Sequence, residues 1–282
     1  MSMLPIEKRG YTHPELLAET DWLASHIADK NIRVIDARVS EQYDASHLPG
    51  AVHLSGFGGI PRTSTGDMAT SEEFAKVASQ LGITNDMTVV VYDAPSQMMG
   101  TVAWGFMYYG HKNVKILDGG FAKWTLEGKP TSTVVPEYPA GIFAANPIEE
   151  LYCSLENAKS TVNDITGIFW DTRSLGEYRG ELSVINVPTP RQGRIPGAIH
   201  LEWKELFEQN TMTLKPGDEL RDLLQAKGIV PESEINTYCQ GGARASLATI
   251  VLKILGYEKA RTYAGSYVQW AKQPDTTIEA GD

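Results

Sequence analysis

Cys239 is placed where a cysteine can act as a nucleophile. It follows a short apolar segment, Ile235 to Tyr238, that predicts a buried strand, and a helical pattern begins a few residues later. Five residues make up the loop between them: Gln240, Gly241, Gly242, Ala243 and Arg244. Paired glycines let backbone N–H groups turn toward the sulfur, and the start of the helix adds the positive end of the helix dipole. Because Arg244 adds a full charge, we expect the thiol to ionise readily and to act as a nucleophile.

The second cysteine, Cys153, lacks these features. No glycine turn and no basic residue adjoins it between Leu151 and Leu155, so we interpret it as a structural residue. Two cysteines in 282 residues exclude a disulfide framework and fit a reducing compartment. The first residues lack the apolar core of a signal peptide, and we expect a cytoplasmic protein.

The composition limits the possible partners. The formal net charge of -10 argues against nucleic acid or an anionic membrane as the main partner. No apolar run approaches the length that spans a membrane. The six histidines show no metal-ligand spacing, so no metal site is predicted. A small anionic substrate remains compatible with this composition, because a local basic pocket can form on an acidic protein.

The two halves of the chain repeat each other. The strand that ends before Asp93 matches the strand that ends before Cys239, and both are followed by a helical pattern. Two further motifs occur twice, Asp-x-Arg (Asp36/Arg38 and Asp171/Arg173) and Pro-Gly-Ala. A repeat of this length indicates duplicated domains. We predict a first domain at 1–130, a Pro-rich linker at 131–150 and a second domain at 151–282.

Each half alternates short β-branched strands with amphipathic helices. In the first half we predict strands at Arg33–Ile35, Met87–Tyr92 and Val114–Leu117, and helices at Ser71–Leu81 and Thr101–Tyr109. Alternation of this kind is typical of an α/β fold. The predicted architecture is two tandem domains, each a parallel sheet covered by helices on both faces.

Taken together, these motifs resemble those of the tandem-domain rhodaneses, the thiosulfate and 3-mercaptopyruvate sulfurtransferases. The resemblance covers nearly the whole chain and includes the segment from Leu117 to Trp124 and a single cysteine loop in the second half. It implies rhodanese-like domains, a non-catalytic first domain and a catalytic second one. Asp93 fits this pattern, because a carboxylate in place of the cysteine cannot carry sulfur. We interpret Asp93 as a loop-capping or interface residue.

The Asp-x-Arg motifs are interpreted differently from the cysteine loop. Because Asp36 and Arg38, like Asp171 and Arg173, lie at strand ends and are duplicated, we predict internal ion pairs that fix loops.

The loop from Ser174 to Gly193 is longer than its counterpart in the first half and should open onto the same sheet edge as Cys239. The loop contributes Arg179 and Arg191, and Arg194 lies just beyond it; guanidinium groups there suit the sulfonate or carboxylate of a donor. We predict that these residues bind substrate. Glu177 stands where the resemblance often places an arginine.

The resemblance implies a sulfurtransferase that works by a ping-pong reaction. Cys239 takes sulfur from thiosulfate, which we place first, or from 3-mercaptopyruvate, and the resulting persulfide passes it to cyanide or a thiol. No cofactor is predicted, and the oligomeric state is open. One alternative is a non-enzymatic sulfur-carrier or protein-binding module. Another is a cysteine-dependent phosphatase, although the loop from Cys239 to Arg244 is one residue shorter than in such enzymes.

Overall fold

The first half of the chain folds into a parallel sheet with helices around it. The structure is a computed structural model that describes residues 4–94, 96–164, 167–183 and 189–282. Five parallel strands form the first sheet in the order β1-β5-β4-β2-β3: β1 (Leu17–Ala18), β2 (Ile32–Asp36), β3 (Val52–His53), β4 (Thr88–Tyr92) and β5 (Val114–Leu117). Five helices accompany it: α1 (Thr20–His26), α2 (Ser40–Ala45), α3 (Ser71–Gln80), α4 (Met98–Tyr108) and α5 (Gly120–Leu126).

The second half repeats this arrangement. Its sheet has the order β6-β10-β9-β7-β8, which is the order of the first sheet. The strands are β6 (Tyr152–Cys153), β7 (Ile168–Asp171), β8 (Ile199–His200), β9 (Ile235–Tyr238) and β10 (Ala260–Tyr263). The helices are α6 (Leu155–Asp164), α7 (Leu175–Arg179), α8 (Gly217–Ala226), α9 (Ala243–Ile254) and α10 (Ser266–Lys272). The predicted fold class, two parallel sheets flanked by helices, is confirmed.

The central strands are buried because both faces of each sheet are covered. In β4, the residues from Val89 to Tyr92 are fully buried, and β9 is buried along its whole length. The run in β4 is the near-continuous apolar pattern of a strand buried on both faces, whereas β9 also buries the polar side chains of Asn236 and Thr237. The hydrophobic run that predicted β4 therefore also indicates that helices cover both faces of its sheet.

The duplicated Asp-x-Arg motifs form the predicted internal ion pairs. In the second domain, Nη2 of Arg173 lies 2.6 Å from Oδ2 of Asp171, and the hydroxyl of Tyr238 donates to the same oxygen at 2.6 Å. The first domain repeats the pair with Arg38 and Asp36 at 2.6 Å. Both pairs are buried, so they fix the loops that leave the carboxyl ends of β2 and β7.

The segment from Glu127 to Ile148 contains no helix and no strand of either sheet, and it runs along the first domain. Its Tyr138 donates a hydrogen bond to the carbonyl of Gly50 at 2.9 Å, and the guanidinium of Arg33 lies over the Tyr138 ring at 3.2 Å. Within the ranges given above, no helix is long and apolar enough to cross a membrane.

The two domains meet through α4 and α9, the helices that follow Asp93 and Cys239. They approach closely at Gly100, where a Cβ atom would lie 2.6 Å from Cβ of Leu247. Both helices are buried almost all round, as expected for helices inside a large core. The loop of Cys239 therefore lies at the domain interface, where both domains can contribute side chains to it.

Candidate active site

The Cys239 loop directs a backbone N–H group at the sulfur. The amide of Gly242 donates to Sγ of Cys239 at 3.0 Å. Gly242 has φ of 105°, a left-handed conformation that glycine adopts without strain, and α9 begins directly after it. The positive end of α9 and an inward N–H thus meet at one sulfur atom. Such an arrangement stabilises negative charge there.

Ser266 holds the other side of Cys239. Its Oγ accepts the backbone N–H of Cys239 at 3.2 Å and donates to the carbonyl of Tyr263 at 2.9 Å. Ser266 adopts φ of 52°, which is unfavourable for a residue with a side chain, whereas its counterpart Gly120 has φ of 53°. Sequence analysis missed Ser266. The repeat contains a signal that could have identified it. The first half has Gly119-Gly120 where the second half has Gly265-Ser266, so a serine replaces the second glycine.

Arg244 is held by Glu177. The two side chains form a bidentate ion pair with both N···O distances at 2.8 Å, and Glu177 is buried. Burial opposes ionisation of Glu177, but the guanidinium of Arg244 and the N–H and hydroxyl of Ser174 hold its pKa at about 2. Burial disfavours the charge of Arg244 too, yet Glu177 and Cys239 together raise its pKa. The positive charge expected beside the sulfur is present and is largely neutralised by Glu177.

Cys239 lies at a cavity of about 920 Å³ between the domains. Cys239 itself is only 2% exposed. Apolar side chains from both domains form part of the wall: Phe57, Ile60, Pro61, Met98, Trp203 and Val268. Five charged side chains also line it: Arg62, Glu177, Glu202, Lys204 and Arg244. This volume is at the upper end of the range of small-molecule sites, about 300–1,000 Å³, so the cavity has room for a small-molecule ligand.

Arg62 comes from the first domain and was also missed. Its Nη1 donates to the carbonyl of Ala264 in the second domain at 2.6 Å. Burial lowers the pKa of the Arg62 guanidinium, and nearby Cys239 opposes this effect. The repeat pattern gave no pointer to Arg62, because its loop enters the site only through the docking of the two domains.

The three arginines predicted to bind substrate lie elsewhere and do not line this cavity. Arg191 donates to carbonyl oxygens of Thr276 at 2.7 Å and Gln273 at 2.6 Å. Arg194 donates to the carbonyl of Gly281 at 2.8 Å, and Arg179 lies 2.9 Å from the carboxylate of Asp282. Their guanidinium groups hold the C-terminal segment. The predicted substrate loop includes 184–188, which lie outside the described residues.

The counterpart of Cys239 in the first domain caps its own loop, as predicted. Asp93 is buried and accepts hydrogen bonds from the amide of Met99 at 3.0 Å and the hydroxyl of Ser96 at 2.7 Å. Burial raises its pKa to about 7, which these donors partly offset. Phe207 and Met212 of the second domain leave a cavity of only about 10 Å³ there. Among the residues that the structure describes, this loop leaves no room for a small-molecule substrate.

Cys153 is buried in the apolar cluster around β6 and β10. Burial raises the pKa of its thiol to about 12, against a small opposing effect of Arg261. A neutral, enclosed thiol is unreactive, which agrees with the structural interpretation of this residue.

The fold is that of a duplicated α/β protein, with two parallel five-stranded sheets in tandem. Its thiol site lies at the domain interface, where the cysteine loop of the second domain precedes a helix. The model of the Rhodanese-like domain matches residues 19–127 and again 154–273. The chain belongs to the rhodanese family, as the sequence motifs predicted.

Several proteins resemble the chain over nearly its whole length. It is 36% identical to the sulfur carrier protein TtuD of Thermus thermophilus, over 97% of this chain and 99% of that protein. It is 33% identical to the thiosulfate sulfurtransferase of Corynebacterium glutamicum, over 96% of this chain and 93% of that protein. A crystal structure of the anaerobic ergothioneine biosynthesis enzyme from Chlorobium limicola superimposes with a TM-score of 0.88 at 24% identity, over 96% of this chain and 71% of that one. At this identity, the similarity to the Chlorobium limicola structure concerns the fold alone.

Proposed function

We propose that this protein is a sulfurtransferase that moves sulfane sulfur from thiosulfate, or from 3-mercaptopyruvate, to a thiophilic acceptor through a persulfide on Cys239. The relatives named as a sulfur carrier and as a thiosulfate sulfurtransferase support the sulfur-transfer role. One observation carries the assignment of the residue: Sγ of Cys239 accepts the amide of Gly242 at 3.0 Å at the base of a cavity that also holds two guanidinium groups.

The first half-reaction loads sulfur onto the enzyme. The Cys239 thiolate attacks the outer sulfur of thiosulfate, a new S–S bond forms, and the old S–S bond breaks with its electron pair leaving on sulfite. With 3-mercaptopyruvate the C–S bond breaks instead, and the leaving pyruvate enolate takes up a proton from solvent. The product is a Cys239 persulfide anion, which the Gly242 amide and the start of α9 stabilise.

The second half-reaction unloads the sulfur. Cyanide or a thiolate attacks the outer sulfur of the persulfide, and the electron pair of the broken S–S bond returns to the Cys239 thiolate. Neither half-reaction requires a cofactor. The protein contributes a nucleophile, a stabilised anion and a cavity that holds the donor.

The experiment that tests this proposal is the intact mass of the reduced protein after brief exposure to thiosulfate and, separately, to 3-mercaptopyruvate. We expect a gain of one sulfur that maps to Cys239, and the faster donor identifies the preferred substrate. The Cys239→Ser variant should fold normally and gain no sulfur, whereas Cys153→Ser should load as the wild type does. No gain in the wild type with either donor contradicts the proposal.

A sulfur-carrier role is the second candidate, and the Thermus thermophilus relative favours it. A carrier would load sulfur on Cys239 but release it slowly to small acceptors. The rate at which cyanide or a small thiol discharges the isolated persulfide separates the two. Rapid multiple turnover supports the enzyme, and a persulfide that survives excess cyanide supports the carrier.

A further inference from the structure

Arg62 lies on the loop between β3 and α3 of the first domain, and this loop is anchored to the second domain at Arg62 itself and at two residues that follow it. The Arg62 guanidinium donates to the carbonyl of Ala264 at 2.6 Å. The side-chain amide of Gln269 donates to the carbonyl of Thr65 at 3.0 Å, and the hydroxyl of Tyr152 donates to Asp67 at 2.7 Å. The second domain therefore fixes the position of Arg62, as a preorganised binding group requires.

The free end of the guanidinium points at the Cys239 loop. A Cβ atom on Gly242 would lie 3.0 Å from Nη2 of Arg62, and the amide of the same glycine donates to Sγ of Cys239 at 3.0 Å. Nη2 makes no hydrogen bond to the part of the chain that the structure describes. It is available to a ligand that enters the cavity next to the sulfur.

Arg62 also differs from the other cations of the cavity in its charge balance. Arg244 has the carboxylate of Glu177 at 2.8 Å, and Lys204 has that of Glu202 at 3.6 Å. Among residues 4–94, 96–164, 167–183 and 189–282, no carboxylate forms an ion pair with Arg62. A partly buried cation without an ion-pair partner favours an anion beside it. Cys239 acts on Arg62 electrostatically, and so does the carboxylate of Asp67, which forms no ion pair with Arg62 and accepts hydrogen bonds from Tyr152 and Gln269 instead.

We propose that Arg62 binds the oxyanion group of the sulfur donor, so that the non-catalytic first domain supplies the donor-binding cation. This inference rests on the proposed function for the identity of the donor, a sulfonate-like or carboxylate-bearing small molecule. A guanidinium N–H that donates to one oxygen of that group leaves the opposite end of the donor at the sulfur. It assigns to Arg62 the role that sequence analysis predicted for Arg179, Arg191 and Arg194.

The test uses two alkylating agents of nearly equal size that differ in charge. Iodoacetate carries a carboxylate and iodoacetamide does not, and both transfer their CH₂ carbon to the Cys239 thiolate with loss of iodide. The ratio of their rate constants cancels any change in the ionisation of the thiol. It therefore reports anion binding beside the sulfur, and it does so whether or not the protein is a sulfurtransferase.

We expect the wild type to show a higher ratio of iodoacetate to iodoacetamide rate than glutathione under the same conditions. Arg62→Gln should lower that ratio by at least about tenfold, since a hydrogen bond to a charged group is worth about 1.5–3 kcal/mol. Arg62→Lys, which keeps the charge, should retain most of it. Arg221→Gln removes an exposed arginine that is ion-paired on α8 and serves as the matched control, with an unchanged ratio.

Several outcomes overturn the proposal. The first is an unchanged ratio in Arg62→Gln, and the second is an equal fall of the ratio in Arg221→Gln. The third is a wild-type ratio no higher than that of glutathione, and this outcome overturns the proposal even if Arg62→Gln does not fold. The KM for thiosulfate in persulfide formation should rise about tenfold in Arg62→Gln. A wild type that forms no persulfide but keeps its alkylation ratio would refute the proposed function and leave the anion site standing.

Discussion

Glu177 and Arg244 form a bidentate ion pair at the wall of the Cys239 cavity, with both N···O distances at 2.8 Å. Glu177 also completes a capping box with Ser174 at the start of α7, so the loop that leaves β7 is tied to the helix that follows Cys239. The pair joins two parts of the second domain that are far apart in sequence. It also determines how much positive charge an incoming donor meets.

The cavity contains two guanidinium groups close to one sulfur, but only one of them lacks a carboxylate partner. The pair of Arg244 with Glu177 carries no net charge, whereas no carboxylate of the described residues forms an ion pair with Arg62. The site is therefore less cationic than a loop that ends in arginine suggests. On the proposed function, we therefore expect a donor with a single oxyanion group to bind better than one that needs several cations.

Removal of the Glu177 charge should reduce stability in a pH-dependent way. The folded-state pKa of about 2 lies below the ordinary value of 4.5, so the carboxylate contributes stability that is present above pH 4.5 and lost as the pH falls toward 2. We expect Glu177→Gln to lower the free energy of unfolding by about 3 kcal/mol at pH 7. Urea titrations between pH 7 and pH 3 should show the difference shrinking below pH 4.5.

Glu202→Gln is the matched control for this change. Glu202 lines the same cavity but is partly exposed, and its ion pair with Lys204 is long at 3.6 Å. Its substitution should cost less than about 1 kcal/mol. A Glu177→Gln variant as stable as Glu202→Gln at pH 7 would show that the buried pair contributes nothing.

Much of the fold followed from local patterns. Strand β5 was predicted at its observed bounds, and α3 ends one residue before its prediction. Its N-cap is Thr70, one residue before the predicted start, because Thr70 and Glu73 form a capping box. Patterns of this kind act over a few residues, and a sequence displays them directly. The repeat extended these local predictions to the second half and identified Asp93 as the residue equivalent to Cys239.

The site was only partly predictable. The Cys239 loop is contiguous, so its glycines and Arg244 could be found by inspection, whereas Glu177 and Arg62 reach it from distant segments. Arg191 shows the opposite difficulty. An arginine in a substrate loop and one that binds main-chain carbonyls look alike in sequence, and only the path of residues 270–276 distinguishes them.

The two glycines of the Cys239 loop should respond differently to alanine. Gly242 has φ of 105°, and a Cβ there would lie 2.8 Å from the carbonyl oxygen of Ala264. We expect Gly242→Ala to move the amide away from Sγ and to slow persulfide formation by at least about tenfold. At Gly241 nothing lies within 4 Å of a Cβ, so Gly241→Ala should change the rate by less than about threefold. Stopped-flow loading with thiosulfate measures both, and equal rates in the two variants would contradict the geometry.

Arg191→Gln should affect stability more than substrate binding. The guanidinium donates to the main-chain oxygens of Ala271, Gln273 and Thr276, at 3.0, 2.6 and 2.7 Å. Its loss leaves the carbonyls of Ala271 and Thr276 without this donor, whereas that of Gln273 keeps the hydroxyl of Thr276. We expect about 2 kcal/mol of destabilisation, with the KM for the sulfur donor changed by less than about twofold. Arg179→Gln, whose partner Asp282 is 94% exposed, should cost less than about 1 kcal/mol. A large rise in KM for Arg191→Gln would restore the role predicted from sequence.

Asp93→Asn should stabilise the protein at alkaline pH. Burial raises the pKa of this carboxyl from 3.8 to about 7, so between these values the folded state binds a proton that the unfolded state has lost. Stability of the wild type therefore falls as the pH rises from about 4 to 7, and the full cost of the buried charge applies above pH 7. Asparagine keeps an oxygen for Met99 and Ser96 without that charge.

We expect the free energy of unfolding of Asp93→Asn to exceed that of the wild type by about 3 kcal/mol at pH 8, and by much less at pH 4. Urea unfolding at both pH values measures this difference, and the exposed Asp222→Asn variant controls for the change in net charge. An increment that is the same at pH 4 and pH 8 would mean that Asp93 stays ionised in the folded protein. The amide of Met99 and the hydroxyl of Ser96 would then be enough to hold a buried carboxylate.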